Sequence, residues 1–271
     1  MAKKNLNEMS FLDHLEELRW LLVRGTIAIL VMAIAAFFVS EYVFDTIIFG
    51  PTRTDFITYR TFCDLSRYVG FKDSICVESL PFIIQNTNME GQVNILVWIC
   101  VTAGFILAFP YILWLLWRFI SPALYEKERK NAKLFIFVAS ILFFLGVLFG
   151  YFVVVPMSVN FFATFKVSEV IKNQFSLESY IGMIKTSVIA SGLFFEMPII
   201  IYFLTKLGLV TPQFLRKYWK YAVVLILIVA AIVTPPDVIS QLVVAIPMLV
   251  IYEASILISL LVYKKQLKEN G

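Results

Sequence analysis

Residues 134–165 form 32 consecutive positions without a single Asp, Glu, Lys or Arg. No other feature restricts the fold as strongly. A helix crosses a bilayer core with about 20 apolar residues, and a water-soluble domain has no means of hiding a longer run. Residues 91–117 add an uncharged run of 27, and residues 25–40 one of 16. The whole chain is 60% hydrophobic and 15% charged, where a soluble domain carries about 25% charged residues. This is a polytopic membrane protein. A soluble enzyme, a nucleic-acid binder and a disordered chain are excluded. In hydrocarbon every backbone polar group must be satisfied internally, so long apolar runs of this kind are read as helices.

Six spans account for the chain, at 21–40, 93–117, 134–156, 180–205, 220–235 and 240–263, with the connecting segments on alternating sides. The first side holds 1–20, 118–133, 206–219 and the tail after 263. The second holds 41–92, 157–179 and the Pro235–Pro236–Asp237 turn. With Arg24 and Lys220 assigned to the first side, 16 of the 23 Lys and Arg lie there and six on the second. Lys185 lies inside span four. Basic residues mark the cytoplasmic side, so both termini are expected in the cytoplasm. The last two spans have short uncharged runs of 16 and 15 residues, and Pro247 and Glu253 interrupt the sixth. Sixteen helical residues cover about 24 Å, less than a ~30 Å core. Such spans thin the bilayer or are shielded by partners, unless Lys264 and Lys265 lengthen the last one by snorkelling.

The first apolar stretch follows a mixed-charge segment and is not succeeded by a small-x-small cleavage pattern, so it reads as a span rather than a cleaved signal. The one histidine, His14, leaves little scope for imidazole chemistry or a metal centre. No HExxH, GxSxG or Walker sequence is present, so no metal, cofactor, catalytic residue or nucleotide hydrolysis is expected.

Ser10 and Asp13 form an S-x-x-D start resembling a capping box. Phe11, Leu15, Leu18 and Leu22 follow at helical spacing with Asp13, His14, Glu16, Glu17 and Arg19 mostly opposite. That pattern predicts an amphipathic helix at the membrane interface over 1–20, leading into span one. Within it stands H-L-E-E-L-R at 14–19, followed along the chain by R-F-I-S-P-A-L-Y-E-K-E-R at 118–129, F-E-M-P at 195–198 and T-P-P-D-V-I-S-Q at 234–241. These four motifs, in this order on these spans, resemble the TatC family over nearly the whole chain. TatC is the multi-spanning core subunit of the twin-arginine translocase.

The resemblance implies one membrane domain over 1–271, with six helices in a cupped arrangement and a short cytoplasmic tail at 264–271. It implies export of folded proteins driven by the proton-motive force, in the bacterial cytoplasmic membrane. The implied partners are twin-arginine signal peptides, single-span TatA- and TatB-type proteins, further copies of the chain, and membrane lipid, with no nucleic acid. Residue by residue, it places the arginine pair on Glu17 and Glu128, with Phe119 and Arg19 in the same motifs. It associates Glu196 with partner docking in the membrane, and matches Asp237 and Gln241 to the polar residues at the last turn and the start of span six.

The chemistry alone reads these residues more blandly. Two guanidiniums on the cytoplasmic face call for carboxylates, and the planar fork explains a preference for arginine over lysine. Yet Glu128 lies among Lys127, Arg129, Lys130 and Lys133, where it also serves to neutralise the cluster. Glu17 has the alternative of a surface ion pair along its helix. Glu16 and Glu126 are further acids able to share the role. Phe119 by itself reads as an interfacial anchor.

Glu196 stands out without the family. An ionised carboxylate inside a span costs about 2.5–3.5 kcal/mol and is ordinarily functional or paired. Lys185, eleven residues away, is about 16 Å along a helix and too distant to pair. A neutral carboxyl hydrogen-bonded to a partner helix is the preferred reading, against an acid satisfied by hydroxyls within the fold. Pro198 removes an amide two residues later and bends the helix near position 194. Glu253 in span six poses the same question. The competing function is a proton-coupled transporter of a small solute with Glu196 and Glu253 as carriers. Against it, the two halves of the chain show no repeat of the kind such transporters carry.

The chain departs from the family pattern in its first outer loop, 41–92, which is longer around Thr58–Glu78. Cys63 and Cys76, two of only three cysteines, fall in this insertion, while Cys100 lies inside span two. An outer loop meets oxidising conditions. A Cys63–Cys76 bridge is therefore expected in preference to two unrelated thiols, closing a loop worth about 3 kcal/mol to local structure.

Overall fold

The computed structural model describes residues 11–69, 76–77, 79–120, 132–168 and 170–270. Five helical stretches are long and apolar enough to cross a membrane: Leu15–Phe38, Gly91–Ile120, Lys133–Thr164, Leu177–Lys206 and Ser240–Leu267. A sixth apolar helix, Trp219–Val233, is shorter. Together they are consistent with the six-span reading. The chain divides into two compact units, one comprising 1–40 and 96–142, the other 41–95 and 143–271.

In the first unit α1 (Phe11–Phe38) meets α3 (Gly91–Ile120), and α4 (Ala132–Phe149) begins. Close approach of the first two depends on small residues. A Cβ on Gly104 would stand 2.6 Å from the Ile29 carbonyl oxygen and 2.7 Å from the Ala33 nitrogen, so only glycine allows these backbones to touch. Ala33 and Ala36 are buried along the same side of α1. Trp117 and Phe135 pack with ring centroids 4.6 Å apart.

In the second unit α4 continues through a π-helical turn, Gly150–Val154, into α5 (Val155–Thr164). It packs on α6 (Leu177–Phe195) by the same device. A Cβ on Gly146 would lie 2.6 Å from the Ser191 carbonyl, and one on Gly150 2.8 Å from that of Ser187. This is a GxxxG stripe on one helix against an SxxxS stripe on the next. α7 (Met197–Lys206) then packs on the long α10 (Val238–Asn270). Between them Thr205 and Ser259 share a buried hydroxyl–hydroxyl hydrogen bond of 2.8 Å. The core gathers around Val154, Ile226, Ala230, Val244, Met248 and Ile256.

After the short α8 (Pro212–Lys217), α9 (Trp219–Val233) has 15 residues, about 22 Å of helix. α10 has 33 and runs unbroken through Pro247, so its short uncharged run does not limit its length. Glu253 is exposed on that helix and accepts a hydrogen bond from the Trp219 indole N–H.

The segment between spans one and two carries structure of its own. α2 (Ile57–Val69) stands in it, and β1 (Ile83–Gln85) pairs in parallel with β2 (Gln174–Ser176) from the segment between spans three and four. This region is fastened by side chains to carbonyls. Pro156 has no N–H to offer the Phe152 carbonyl one turn earlier, and the Thr58 hydroxyl takes that carbonyl instead. The Tyr59 hydroxyl is shared between the carbonyls of Pro51 (2.9 Å) and Pro156 (3.0 Å). Tyr151 and Tyr180 donate to Ile47 and Ile48 at 2.7 and 2.6 Å. Asn173 closes the end of α5 by donating towards the carbonyls of Phe162, Ala163 and Phe165. Cys63 of α2 is disulfide-bonded to Cys76, and Cys100 is free and buried.

Candidate functional site

The first candidate lies in the N-terminal half of α1, where four charges and one indole fall within residues 16–24. Arg19 approaches Glu16 at 4.0 Å, with both side chains largely exposed. The guanidinium carbons of Arg19 and Arg24 also lie 5.7 and 5.8 Å from the centre of the Trp20 ring. The four-residue spacing brings Arg24 back onto Trp20, because helical side chains lean towards the N-terminus. Glu17 differs from these neighbours. It is half-buried, and its Oε2 is enclosed without a hydrogen-bond partner among the described residues. An enclosed carboxylate oxygen without a donor is a costly arrangement, and a guanidinium is the group best shaped to relieve it.

Phe119 is half-buried near the end of α3, in the same compact unit as Glu17. Glu128 lies outside the described residues, as do Glu126 and most of the 118–129 motif.

The second candidate is Glu196. The helix breaks there: α6 ends at Phe195, α7 starts at Met197, and the Glu196 amide turns back to the Leu193 and Phe194 carbonyls. Pro198 sits in the first turn of α7, and its missing amide and ring explain why a continuous helix is not formed. Glu196 is 6% exposed and its carboxyl Oε1 has no partner among the described residues. Ser187 and Ser191, both fully buried, also have hydroxyls without a partner. A fold-internal satisfaction of Oε1 by these hydroxyls is therefore absent.

Asp237 and Gln241 act at the turn into α10. Asp237 Oδ2 accepts from the Ser240 amide at 2.8 Å, capping the helix start. The Gln241 side-chain amide crosses to the Leu227 carbonyl of α9 at 3.0 Å. Both residues thus fix the geometry of the last helical pair.

Comparison with known proteins decides the family. The family model for Sec-independent protein translocase protein (TatC) matches residues 13–247. This chain belongs to the TatC family. A TatC of Blattabacterium sp. subsp. Periplaneta americana is 44% identical over 265 residues, which cover 97% of this chain and 100% of that one. TatCy of Bacillus subtilis is 34% identical over 271 residues, covering 100% and 96%. A crystal structure of the twin-arginine translocase receptor TatC in DDM superposes with a TM-score of 0.71 at 34% identity, covering 91% of this chain and 99% of that one. A second crystal structure of that receptor gives 0.67 at 32% identity, covering 92% and 99%. The chain is accordingly a multi-pass membrane component of a protein translocase, and not an enzyme.

Two further features of these sites are carried by residue spacing in the sequence. G-V-L-F-G at 146–150 and S-V-I-A-S at 187–191 are the stripes that bring two spans into contact beside Glu196. The four-residue interval from Trp20 to Arg24 is the signal for a ring–guanidinium contact. The contact from Thr58 to Phe152 had no local signal.

Proposed function

We propose that this chain is the signal-peptide receptor and assembly platform of a twin-arginine translocase, with both termini in the cytoplasm. The arginine pair of a signal peptide binds Glu17 together with Glu128, against an aromatic wall supplied by Phe119. Glu196, at the buried helix break, receives a polar group of a TatA- or TatB-type single-span partner. Asp237 and Gln241 hold the adjoining pair of helices in place for that contact. The proton-motive force drives transport of the folded cargo.

The observation that carries this reading is the Glu17 oxygen enclosed without a donor, beside a Glu16 already facing Arg19. It favours Glu17 over Glu16 as the carboxylate kept for a ligand. Membership in the family, and likeness to a protein described as the translocase receptor, support the assignment. The placement of the termini rests on the excess of Lys and Arg on the side that carries Glu17. The transporter alternative loses one of its two carriers, because Glu253 is exposed and holds the Trp219 indole.

The test is binding of a fluorescent peptide with paired arginines to the full chain in detergent or nanodiscs. Binding that disappears when both arginines become lysine supports the receptor reading. Equal binding of the two peptides overturns it.

A further inference from the structure

We propose that Trp20 is a positioning residue for peptide recognition: its indole holds Arg24 and Arg19 and so keeps the Glu17 carboxylate from pairing within the helix, leaving it for an incoming guanidinium. The inference rests on the receptor reading above.

The start of α1 carries two carboxylates and two guanidiniums within nine residues, 16–24. Left to Coulomb attraction, such a set pairs internally, and a site so neutralised has no attraction left for an arginine peptide. Glu16 faces Arg19 at 4.0 Å. Arg24 is the remaining competitor. It lies seven residues after Glu17, which is two turns and about 10 Å along the same helix face. A long Arg side chain leaning towards the N-terminus aims at that carboxylate. Trp20 stands between them, one turn before Arg24. The ring takes the Arg24 guanidinium at 5.8 Å and that of Arg19 at 5.7 Å. Glu17 Oε2 is left without a donor. A guanidinium over an indole face loses little of its hydration and keeps its charge, so the ring holds it weakly and reversibly. The same arrangement makes Trp20 a determinant of selectivity. The ring discriminates between cations within the chain, and the carboxylate remains available to those of the peptide.

The experiment measures the affinity of the full chain for the fluorescent twin-arginine peptide in four variants. Trp20→Leu removes the π face and is expected to weaken binding about fivefold, the value of one exposed ring–cation contact. Trp20→Phe keeps a face and stays within about twofold of the parent. Arg24→Gln placed in the Trp20→Leu background removes the competitor and restores the parent affinity. Glu17→Gln weakens the binding that all of this serves by about thirtyfold. If Trp20→Leu fails to assemble in the membrane, Trp20→Met takes its place, being apolar and large but without a ring.

Unchanged affinity in Trp20→Leu overturns the proposal. Weakening that Arg24→Gln does not relieve also overturns it, and makes Trp20 an interfacial anchor instead. A Glu17→Gln protein that binds like the parent removes the receptor reading itself. Loss of binding in Glu17→Gln with no effect of Trp20→Leu removes only the role of the indole.

Discussion

The tyrosine-fastened region around α2 and the stretch 16–24 of α1 treat their polar groups in opposite ways. In the former, Thr58, Tyr59, Tyr151, Tyr180 and Asn173 each donate to a backbone carbonyl. Several of those carbonyls belong to residues more than ninety positions away in sequence. In the latter, a half-buried glutamate keeps an oxygen without a donor, and two arginines rest on a ring rather than on a carboxylate. A satisfied hydrogen bond contributes about 1 kcal/mol, whereas an enclosed polar group left unpaired costs about 1–3 kcal/mol. A folded protein carries few groups of the second kind. The difference teaches where to look for function: completed networks hold the fold, and the incomplete ones are where a partner is to be sought. Glu196 with Ser187 and Ser191 belongs with the second group, although it is buried where Glu17 is only half-buried.

The largest effect is expected where backbones touch. Gly146→Leu drives a side chain into a space whose nearest atom, the Ser191 carbonyl oxygen, is 2.6 Å from the first carbon. Neither helix yields easily, and overpacking of this kind costs about 3 kcal/mol or more. The measurement is the melting temperature and the yield of assembled protein. A variant as stable as the parent would show that the GxxxG and SxxxS stripes are incidental to the contact.

Next is Glu17, the carboxylate proposed to meet the arginine pair. Glu17→Ala is expected to weaken twin-arginine peptide binding by about 2 kcal/mol, at the lower end for a partly desolvated charge pair, with the melting temperature unchanged. Combining it with Glu128→Ala deepens the loss. A double variant of parental affinity removes both residues from the site. The contrast with the tyrosine region predicts the converse for Tyr59→Phe: no change in peptide affinity, and about 1–2 kcal/mol of stability lost as two carbonyls give up their donor. Burial also pushes the Tyr59 phenol above its ordinary range. A raised folded-state value adds stability that is complete below the ordinary value of about 10 and is lost as pH rises past it. The parent therefore loosens above about pH 10 by more than Tyr59→Phe does, as proteolysis of this loop at graded pH will show.

How much of this was readable beforehand depends on the range of the interaction. The spans were legible because an uncharged run such as 134–165 has one solution in a bilayer. The break at Glu196 was legible from Pro198, since a missing amide acts within one turn. The α2 helix and the β1–β2 pair were not, because three-residue strands joined from segments some ninety residues apart carry no periodic signal. The same applies to Thr58 finding the carbonyl freed by Pro156. At the proposed recognition site the resemblance pointed to Glu17, while the chemistry of the sequence alone left Glu16 able to share the role. The packed helix distinguishes the two acids on physical grounds, by giving Glu16 a neighbouring arginine and leaving an oxygen of Glu17 enclosed.

The smallest effect is expected at Glu196, and it sharpens the comparison most. If the unpaired oxygen there awaits a donor or acceptor from another helix, what matters is hydrogen-bonding capacity rather than charge. Glu196→Gln keeps an acceptor oxygen and adds donors in nearly the same volume. Its assembly with single-span partners should differ from the parent by less than about 1 kcal/mol. Glu196→Leu fills the same space without polar atoms. Because it removes an unsatisfied group, it is expected to leave the isolated chain as stable as before or slightly more so, while weakening the assembly. Opposite signs for stability and for assembly are the signature of a group kept for a partner. Co-purification of a tagged single-span subunit with each variant, alongside the melting temperature of the isolated chain, measures both. If Glu196→Leu assembles like the parent, the buried carboxyl serves only the fold, and the likeness drawn between it and Glu17 fails.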